Sequence, residues 1–363
     1  MTSARYALAL STLLVGCKAD EKPLCVVEDS TPSTCSGGDC ADWGTEWWST
    51  TANEFRFDQL AVGPEGEVAV LRGDEYVVLL NADGSERWRA PQDLVMALAF
   101  APDGDVLAVS YGDDLKLIRY DADGTMLWSY VYENPVYEPK LVVDDAGTAW
   151  MEAELNDRSA IVGVDRDGVE VALLRPEDSK GRGLRYIGGL EVAPDGFTLV
   201  VTGSTGNPHS QRTAARSTAD SSSAARSSGG SFFAQGLDAN GNRQWSFQTT
   251  TEHVVPGPCG SFFGVSGGYR KPVLQRLDTD GTVLWERPWL APAYDSHLAW
   301  NGGNTLYAMA TRVDDVPVFR FHVNGTRSHS PIRHDADRYG AMGVRPDGGV
   351  VTGANEVVTS WRK

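Results

Sequence analysis

The sequence predicts an all-β chain, a seven-bladed β-propeller of four-stranded antiparallel blades, from two periodic series and the strand count at its two ends. Glycines at Gly44, Gly84, Gly124, Gly168, Gly241, Gly281 and Gly325 recur at intervals of 40, 40, 44, 73, 40 and 44 residues. Four places after each stands a tryptophan or a substitute for one: Trp48, Trp88, Trp128, Ala172, Trp245, Trp285 and His329. A second turn, best written Pro-Asp-Gly, ends at Gly66, Gly104, Gly147, Gly196, Gly260, Gly303 and Gly348. Units of about forty residues built from short strands and glycine-rich turns are the mark of a propeller.

Each unit divides into four strands, here A to D from the axis outward. Unit two reads most clearly, as Val95–Ala101, Asp105–Ser110, Leu115–Tyr120 and Thr125–Trp128 separated by turns. β-branched and aromatic residues fill these stretches. The last unit offers the turn Pro346–Gly348, then Val350–Thr352 and Glu356–Trp361, and has no D strand. The first element is the reverse, a D strand with nothing before it. Pairing Thr45–Ser49 against Glu356–Trp361 completes the seventh blade and removes two open sheet edges. The ring therefore closes through an N-terminal outer strand.

The chain of 363 residues carries a net charge of −17, with a hydrophobic fraction of 41% and 39 glycines. That hydrophobic fraction is enough for a core. The charge argues against nucleic acid, whose phosphates need a basic surface. One extra stretch lies between Gly196 and Gly241, and within it residues 204–231 are mostly Ser, Thr, Ala, Arg and Gly. Such a composition buries too little apolar surface to offset its ordering entropy, so disorder is expected there. Arg212, Arg216 and Arg226 make this insertion of blade four locally basic.

The N-terminus reads as an address. Arg5 precedes a mostly apolar stretch, Tyr6–Val15, which is too short to span a bilayer. It runs into Leu14-Val15-Gly16-Cys17, which resembles the lipobox of bacterial lipoproteins. The resemblance implies cleavage after residue 16 and a diacylglycerol thioether on Cys17. With Lys18 following, it favours the outer membrane, on its periplasmic or its surface face. Residues 17–41 then form a lipidated spacer and 42–363 the propeller. Cys25, Cys35, Cys40 and Cys259 remain, an even number in an oxidising compartment, with three possible pairings. Their spacing matches no common zinc site. Cys259 sits in the A-to-B turn of blade five, on the face from which the strand after Cys40 enters. The favoured pairs are Cys40–Cys259 and Cys25–Cys35.

The segment Leu115–Trp128, repeated in Leu237–Trp245 and Leu277–Trp285, resembles pyrroloquinoline-quinone-type propeller repeats. The quinone-dependent dehydrogenases of that superfamily have eight blades and a vicinal cysteine pair, which this chain lacks, so no cofactor is expected. A non-catalytic relative, the outer-membrane assembly lipoprotein that scaffolds barrel insertion, is similar in address and repeat type. It implies a scaffold role.

The Asp-x-Asp-Gly sequences at Asp121, Asp165 and Asp278 resemble the start of a calcium loop but run straight into a D strand. They read as hairpin turns, with aspartate accepting backbone hydrogen bonds. In the sialidase Asp-box the glycine stands two residues after the aspartate, whereas here Gly124 directly follows Asp123. The repeated tryptophans read as packing between blades. No Gly-x-Ser-x-Gly, His-Glu-x-x-His or phosphate-cradling loop is present. No catalytic residue and no metal ligand is therefore assigned.

If the ring binds a partner, the D-to-A and B-to-C loops on one face are the place. They carry Tyr137, Glu138, Arg185, Tyr186, His253, Tyr294, Asp295 and Tyr339, aromatic residues beside charged ones at most blade entrances. Two function classes follow. One is a lipid-anchored envelope scaffold or protein-interaction module that contacts the membrane through its lipid and another envelope protein through its loops. The other is a ligand- or sugar-binding protein, or an enzyme, using the central channel.

Overall fold

A computed structural model describes residues 46–362, apart from 52–58, 73–75, 93, 135, 137–138, 207–231, 252, 267–271, 289–294, 312–315, 328–330, 335–339 and 355–356. The described chain forms seven separate four-stranded antiparallel sheets. The only helical element among these residues is a single 3-10 turn, Pro258–Gly260. Blade 1 is β2 (Leu60–Val62), β3 (Val68–Arg72), β4 (Tyr76–Leu80) and β5 (Glu86–Pro91). Blade 2 is β6 (Val95–Phe100), β7 (Val106–Tyr111), β8 (Leu115–Tyr120) and β9 (Met126–Tyr132). Blade 3 is β10 (Leu141–Val143), β11 (Ala149–Glu154), β12 (Ser159–Val164) and β13 (Glu170–Leu174). Blade 4 is β14 (Tyr186–Val192), β15 (Leu199–Ser204), β16 (Phe232–Leu237) and β17 (Arg243–Thr249). Blade 5 is β18 (Val254–Pro256), β19 (Phe262–Ser266), β20 (Val273–Leu277) and β21 (Val283–Pro288). Blade 6 is β22 (Asp295–Trp300), β23 (Thr305–Thr311), β24 (Val316–His322) and β25 (Ile332–His334).

Blade 7 is composite. Its inner strands are β26 (Gly340–Val344), β27 (Val350–Ala354) and β28 (Val357–Trp361), and its outer strand is β1 (Glu46–Thr51). Trp48 lies opposite Ser360 and Ser49 opposite Thr359, so the ring closes through an N-terminal outer strand as the strand count predicts. The closing strand runs two residues further than the sequence indicates, to Thr51.

The core is distributed, with one apolar cluster at each seam between blades. Leu79, Trp88, Leu98 and Ile118 fill seam 1–2, for example, and Leu117, Met151, Val162 and Val164 fill seam 2–3. Side chains alternate along each strand, so the inner strands of a blade serve two seams at once. Val68 and Val70 face blade 7 while Ala69 and Leu71 face blade 2. Burial of this kind on both faces explains why the B and C strands read as nearly continuous apolar runs.

The turns follow the expected chemistry. Asp121 accepts hydrogen bonds at Oδ1 from the amides of Asp123 and Thr125 (2.9 and 2.8 Å), and Asp165 and Asp238 repeat the arrangement. Two details of the reading need correction. In blade 6 the left-handed glycine of the A-to-B turn is Gly302 (φ 76°), not Gly303, because this turn opens on Asn301, whose Oδ1 accepts the Gly303 amide. Ser204 is no part of the low-complexity stretch, being the last residue of β15 and 2% exposed. The remainder of that stretch, from residue 207, lies outside the described residues.

Candidate functional site

Four seams share one joint. An indole Nε1–H on the D strand donates to a carbonyl in the C-to-D turn of the next blade. Trp48 reaches Ala82 O (2.7 Å), Trp88 reaches Ala122 O (3.1 Å), Trp128 reaches Arg166 O (2.8 Å) and Trp285 reaches Val323 O (3.0 Å). Two residues past each carbonyl stands the turn glycine, and the indole lies on it. A Cβ on Gly124 would come within 2.8 Å of the Trp88 ring. Glycine and tryptophan therefore recur together because each turn seats the tryptophan of the preceding blade.

An arginine reinforces three of these joints. Arg119, only 2% exposed, ion-pairs with Asp105 (2.8 Å) and Asp103 (2.6 Å) and reaches Arg166 O. Arg276 reaches Val323 O, and Arg345 reaches Ala82 O across the closure. In each case arginine and tryptophan donate to the same carbonyl. The signal was in the sequence and went unread, since Arg119 and Arg276 both stand nine residues before their tryptophan.

Blades 3 to 5 depart from this pattern. Leu174, not Ala172, sits on Gly241, and Phe247, not Trp245, sits on Gly281. Docking there comes two residues later along the D strand. Trp245 instead packs within seam 4–5 against Phe247 and Phe262, at 5.7 and 4.6 Å between ring centres.

The connection from blade 3 to blade 4, residues 175–185, is a hairpin laid across the seam, and sequence reasoning passed over it. Its backbone is pinned on both sides. Arg158 donates to Gly183 O and the Ser159 amide to Leu184 O from blade 3; Arg243 donates to Asp178 O from blade 4, whose Ser204 O accepts the Arg185 amide. Pro176, Asp178 and Leu184 are buried, while Arg175, Lys180, Arg182 and Arg185 are exposed. Arg182 is paired with Asp178 (2.6 Å).

Behind the hairpin lies Glu152 on β11, 3% exposed. Burial pushes its carboxyl up to about 7, against the Lys140 charge and hydrogen bonds from Ser159 and the amides of Ile187 and Lys140. On the other side of blade 4 the seam is polar. Thr202 and Thr251 are fully buried, the Thr249 and Thr251 hydroxyls share a hydrogen bond (2.8 Å), and Thr202 Oγ1 has no partner. His253 Nε2 lies 2.9 Å from Glu191 Oε1, both side chains about one-third exposed. His253 fits there because Gly189 opposite has no side chain; a Cβ would meet its ring at 2.2 Å.

Of the sequence-nominated residues, Arg185, Tyr186 and His253 fall in this irregular region, at the start of β14 and just before β18. Asp295 opens β22. Tyr137, Glu138, Tyr294 and Tyr339 lie outside the described residues. Cys259 is disulfide-bonded, in the left-handed conformation (φ 59°); Cys17, Cys25, Cys35 and Cys40 lie outside the described residues. Among the described residues no group of three His, Cys, Asp or Glu side chains is placed to hold a metal, and no helix is long and apolar enough to cross a membrane.

Repeat, blade architecture and tryptophan joints define the chain as a seven-bladed β-propeller. Residues 40–183 match the family described as outer membrane protein assembly factor BamB. Among solved structures, BamB from Moraxella catarrhalis is similar, with TM-score 0.52 and 14% identity over 87% of this chain and 88% of that one. The WD40 β-propeller domain of Doa1 aligns with TM-score 0.59 and 11% identity over 88% and 96% of the two chains. The Dos1 propeller aligns with TM-score 0.52 and 11% identity over 87% and 94%. At such identities these likenesses speak to fold alone. No curated protein matches the sequence.

Proposed function

We propose that the chain is a lipid-anchored cell-envelope propeller that acts as a scaffold or protein-interaction module. Cys17 is its membrane anchor, residues 17–41 its tether, and the outer membrane its favoured location. The working surface is the loop face, centred on Arg185, Tyr186 and His253 at blades 4 and 5 and extended by Tyr137, Glu138, Tyr294, Asp295 and Tyr339, which in the chain stand at the entry to blades 3, 6 and 7. The observation that carries this reading is the concentration of departures from the repeat in one arc. The replaced tryptophan joints, the pinned basic hairpin and the polar seam all fall there, on a chain of net charge −17. The likeness of residues 40–183 to an outer membrane assembly factor supports it. Cys40–Cys259 and Cys25–Cys35 are the proposed bridges, the first fixing the tether to blade five.

The test is capture from detergent-solubilised envelope by the immobilised chain. The reading expects one stoichiometric envelope protein, lost when Tyr137, Tyr294 and Tyr339 are changed together to alanine while the melting temperature is kept. Equal capture by the triple variant removes the loop face from consideration. A second reading, ligand binding or catalysis in the channel, is favoured by the Glu191–His253 pair and the unpartnered Thr202 hydroxyl. It predicts no protein partner and a small molecule lost on His253→Ala.

A further inference from the structure

The outer D strand of every blade presents an unpaired edge, and exposed edges are hazards that proteins usually blunt with charge or proline. Most blades here do so. β5 carries Glu86, Arg87, Arg89 and Pro91, β21 carries Glu286, Arg287 and Pro288, and β17 carries Arg243 with four polar residues. β9 does not. Its seven residues, Met-Leu-Trp-Ser-Tyr-Val-Tyr, include no charge and no proline, and it is the terminal strand of its sheet.

Beside it, β13 is nearly as bare. Met126 (57% exposed), Leu127 (52%), Val131 (47%), Val169 (58%), Val171 (56%) and Leu173 (37%) are six of the eleven large apolar side chains exposed among the described residues. They belong to two neighbouring blades. Register shows how they are disposed. Leu173 lies opposite Val162, which faces blade 2, so Val171 and Leu173 face blade 2 as well. Trp128, Tyr130 and Tyr132 face blade 3, and the Tyr130 hydroxyl donates to Glu170. Met126, Leu127 and Val131 alternate with these aromatics and face blade 1, so the free edge of β9 carries apolar side chains on both of its faces.

The entering end of that edge is acidic. Asp121, Asp123, Asp165 and Asp167 lie in the turns leading into the two strands, Glu170 opens β13 and Glu133 follows β9. At the far end Arg175, whose charge acts on Tyr132, and Lys116 stand beside Glu133, and Arg166 is the cation of the entering turns. A second copy of this chain would be repelled by its net charge of −17. A segment apolar on alternate residues and basic where it meets the entering turns would find complementary charge and pair through its backbone.

We propose that the outer edge of β9 is a docking edge for an extended segment of another protein, apolar at alternate positions with lysine or arginine where it meets the acidic entering turns. This site is separate from the loop face and stands or falls independently of it. The probe is a fluorescently labelled peptide, Lys-Arg-Val-Thr-Val-Thr-Val-Arg-Lys, titrated with the full chain. Saturable binding is expected. The double variant L127K/V131K should weaken it at least about tenfold, as should glutamates at the peptide ends, while Q244K/S246K on β17 should change nothing. In the unmodified chain the peptide should slow hydrogen exchange of the Met126–Tyr132 amides, a readout independent of whether any variant folds. No saturable binding, unchanged binding by L127K/V131K, equal affinity for the glutamate-flanked peptide, or protection elsewhere each overturns the proposal. So does a dimer of the chain that L127K/V131K dissociates, which would assign the edge to self-pairing.

Discussion

Seams 2–3 and 3–4 differ in what fastens them. At seam 2–3 an indole and a buried guanidinium converge on one carbonyl, Arg166 O, and the indole lies on a bare glycine. At seam 3–4 Leu174 takes the indole's place, and directional bonding passes to a hairpin that sequence regularity does not require. The first joint is specified by the repeat and serves the ring. The second has been rebuilt around exposed cations, a buried acid and the root of an insertion. The proposed working surface lies over the second.

The largest effect tests the ring itself. Truncation after Asn355 removes β28, leaves β1 without a partner and opens the ring, so no soluble folded protein should be recovered; a cooperative melt from the truncated chain would break the closure argument.

Next comes pH, at the irregular seam. The Glu152 carboxyl titrates at about 7 in the fold against an ordinary 4.5. The native state keeps a proton that the unfolded chain releases, so this contribution is full below about pH 4.5 and is lost as pH rises to about 7. Glu152→Gln should remove that slope and be the more stable chain at pH 8, by at most about 3 kcal/mol. Parallel stability–pH curves from chemical denaturation would contradict the assignment.

The arginines sharpen the comparison directly. Arg119→Met strands Asp105 and Asp103 at a regular seam and should cost about 2–3 kcal/mol, less than a fully buried pair because Asp103 is half exposed. Arg243→Met at seam 3–4 gives up one carbonyl contact and should cost about 1 kcal/mol or less. Equal losses in urea melts would erase the distinction between the joints.

The smallest contrast uses two glycines of nearly equal backbone angle. At Gly104 (φ 90°) an added Cβ would have nothing within 4 Å, whereas at Gly124 (φ 83°) it would meet Trp88. Alanine at Gly104 should cost about 1–2 kcal/mol for the left-handed angle alone. Alanine at Gly124 should cost roughly 2 kcal/mol more, because the seated indole must move. Similar costs in urea melts would mean that the glycine serves only the turn.

The fold was legible because its cause is local and repeated. The turn glycine recurs from unit to unit and four seams share the docked tryptophan, so blade count and the closure of β1 on β28 could be read by counting. The site was less so. Ala172 looked like a weakened copy of the tryptophan position, yet the docking residue is Leu174, one pleat further on, because spatial register across a seam is invisible in a single unit. The hairpin at 175–185 has no period at all. Its anchors, Arg158, Ser204 and Arg243, are spread along the chain and meet only once blades 3 and 4 are packed. Glu152 reads as an ordinary strand residue until Ile187 and Ser159 close over it. Arg185, Tyr186 and His253 could be nominated because aromatic and charged residues at blade entrances are a sequence-level pattern, but their grouping is a property of the ring.

The most direct measurement compares the two arcs in the same preparation. A photo-crosslinking residue placed at Arg185, on the rebuilt arc, or at Arg89, on the regular β5, is irradiated in intact envelopes and its adducts identified by mass. The account predicts one abundant envelope-protein adduct from position 185 and none from position 89. Adducts of equal yield at both positions, or an adduct from position 89 alone, would contradict it.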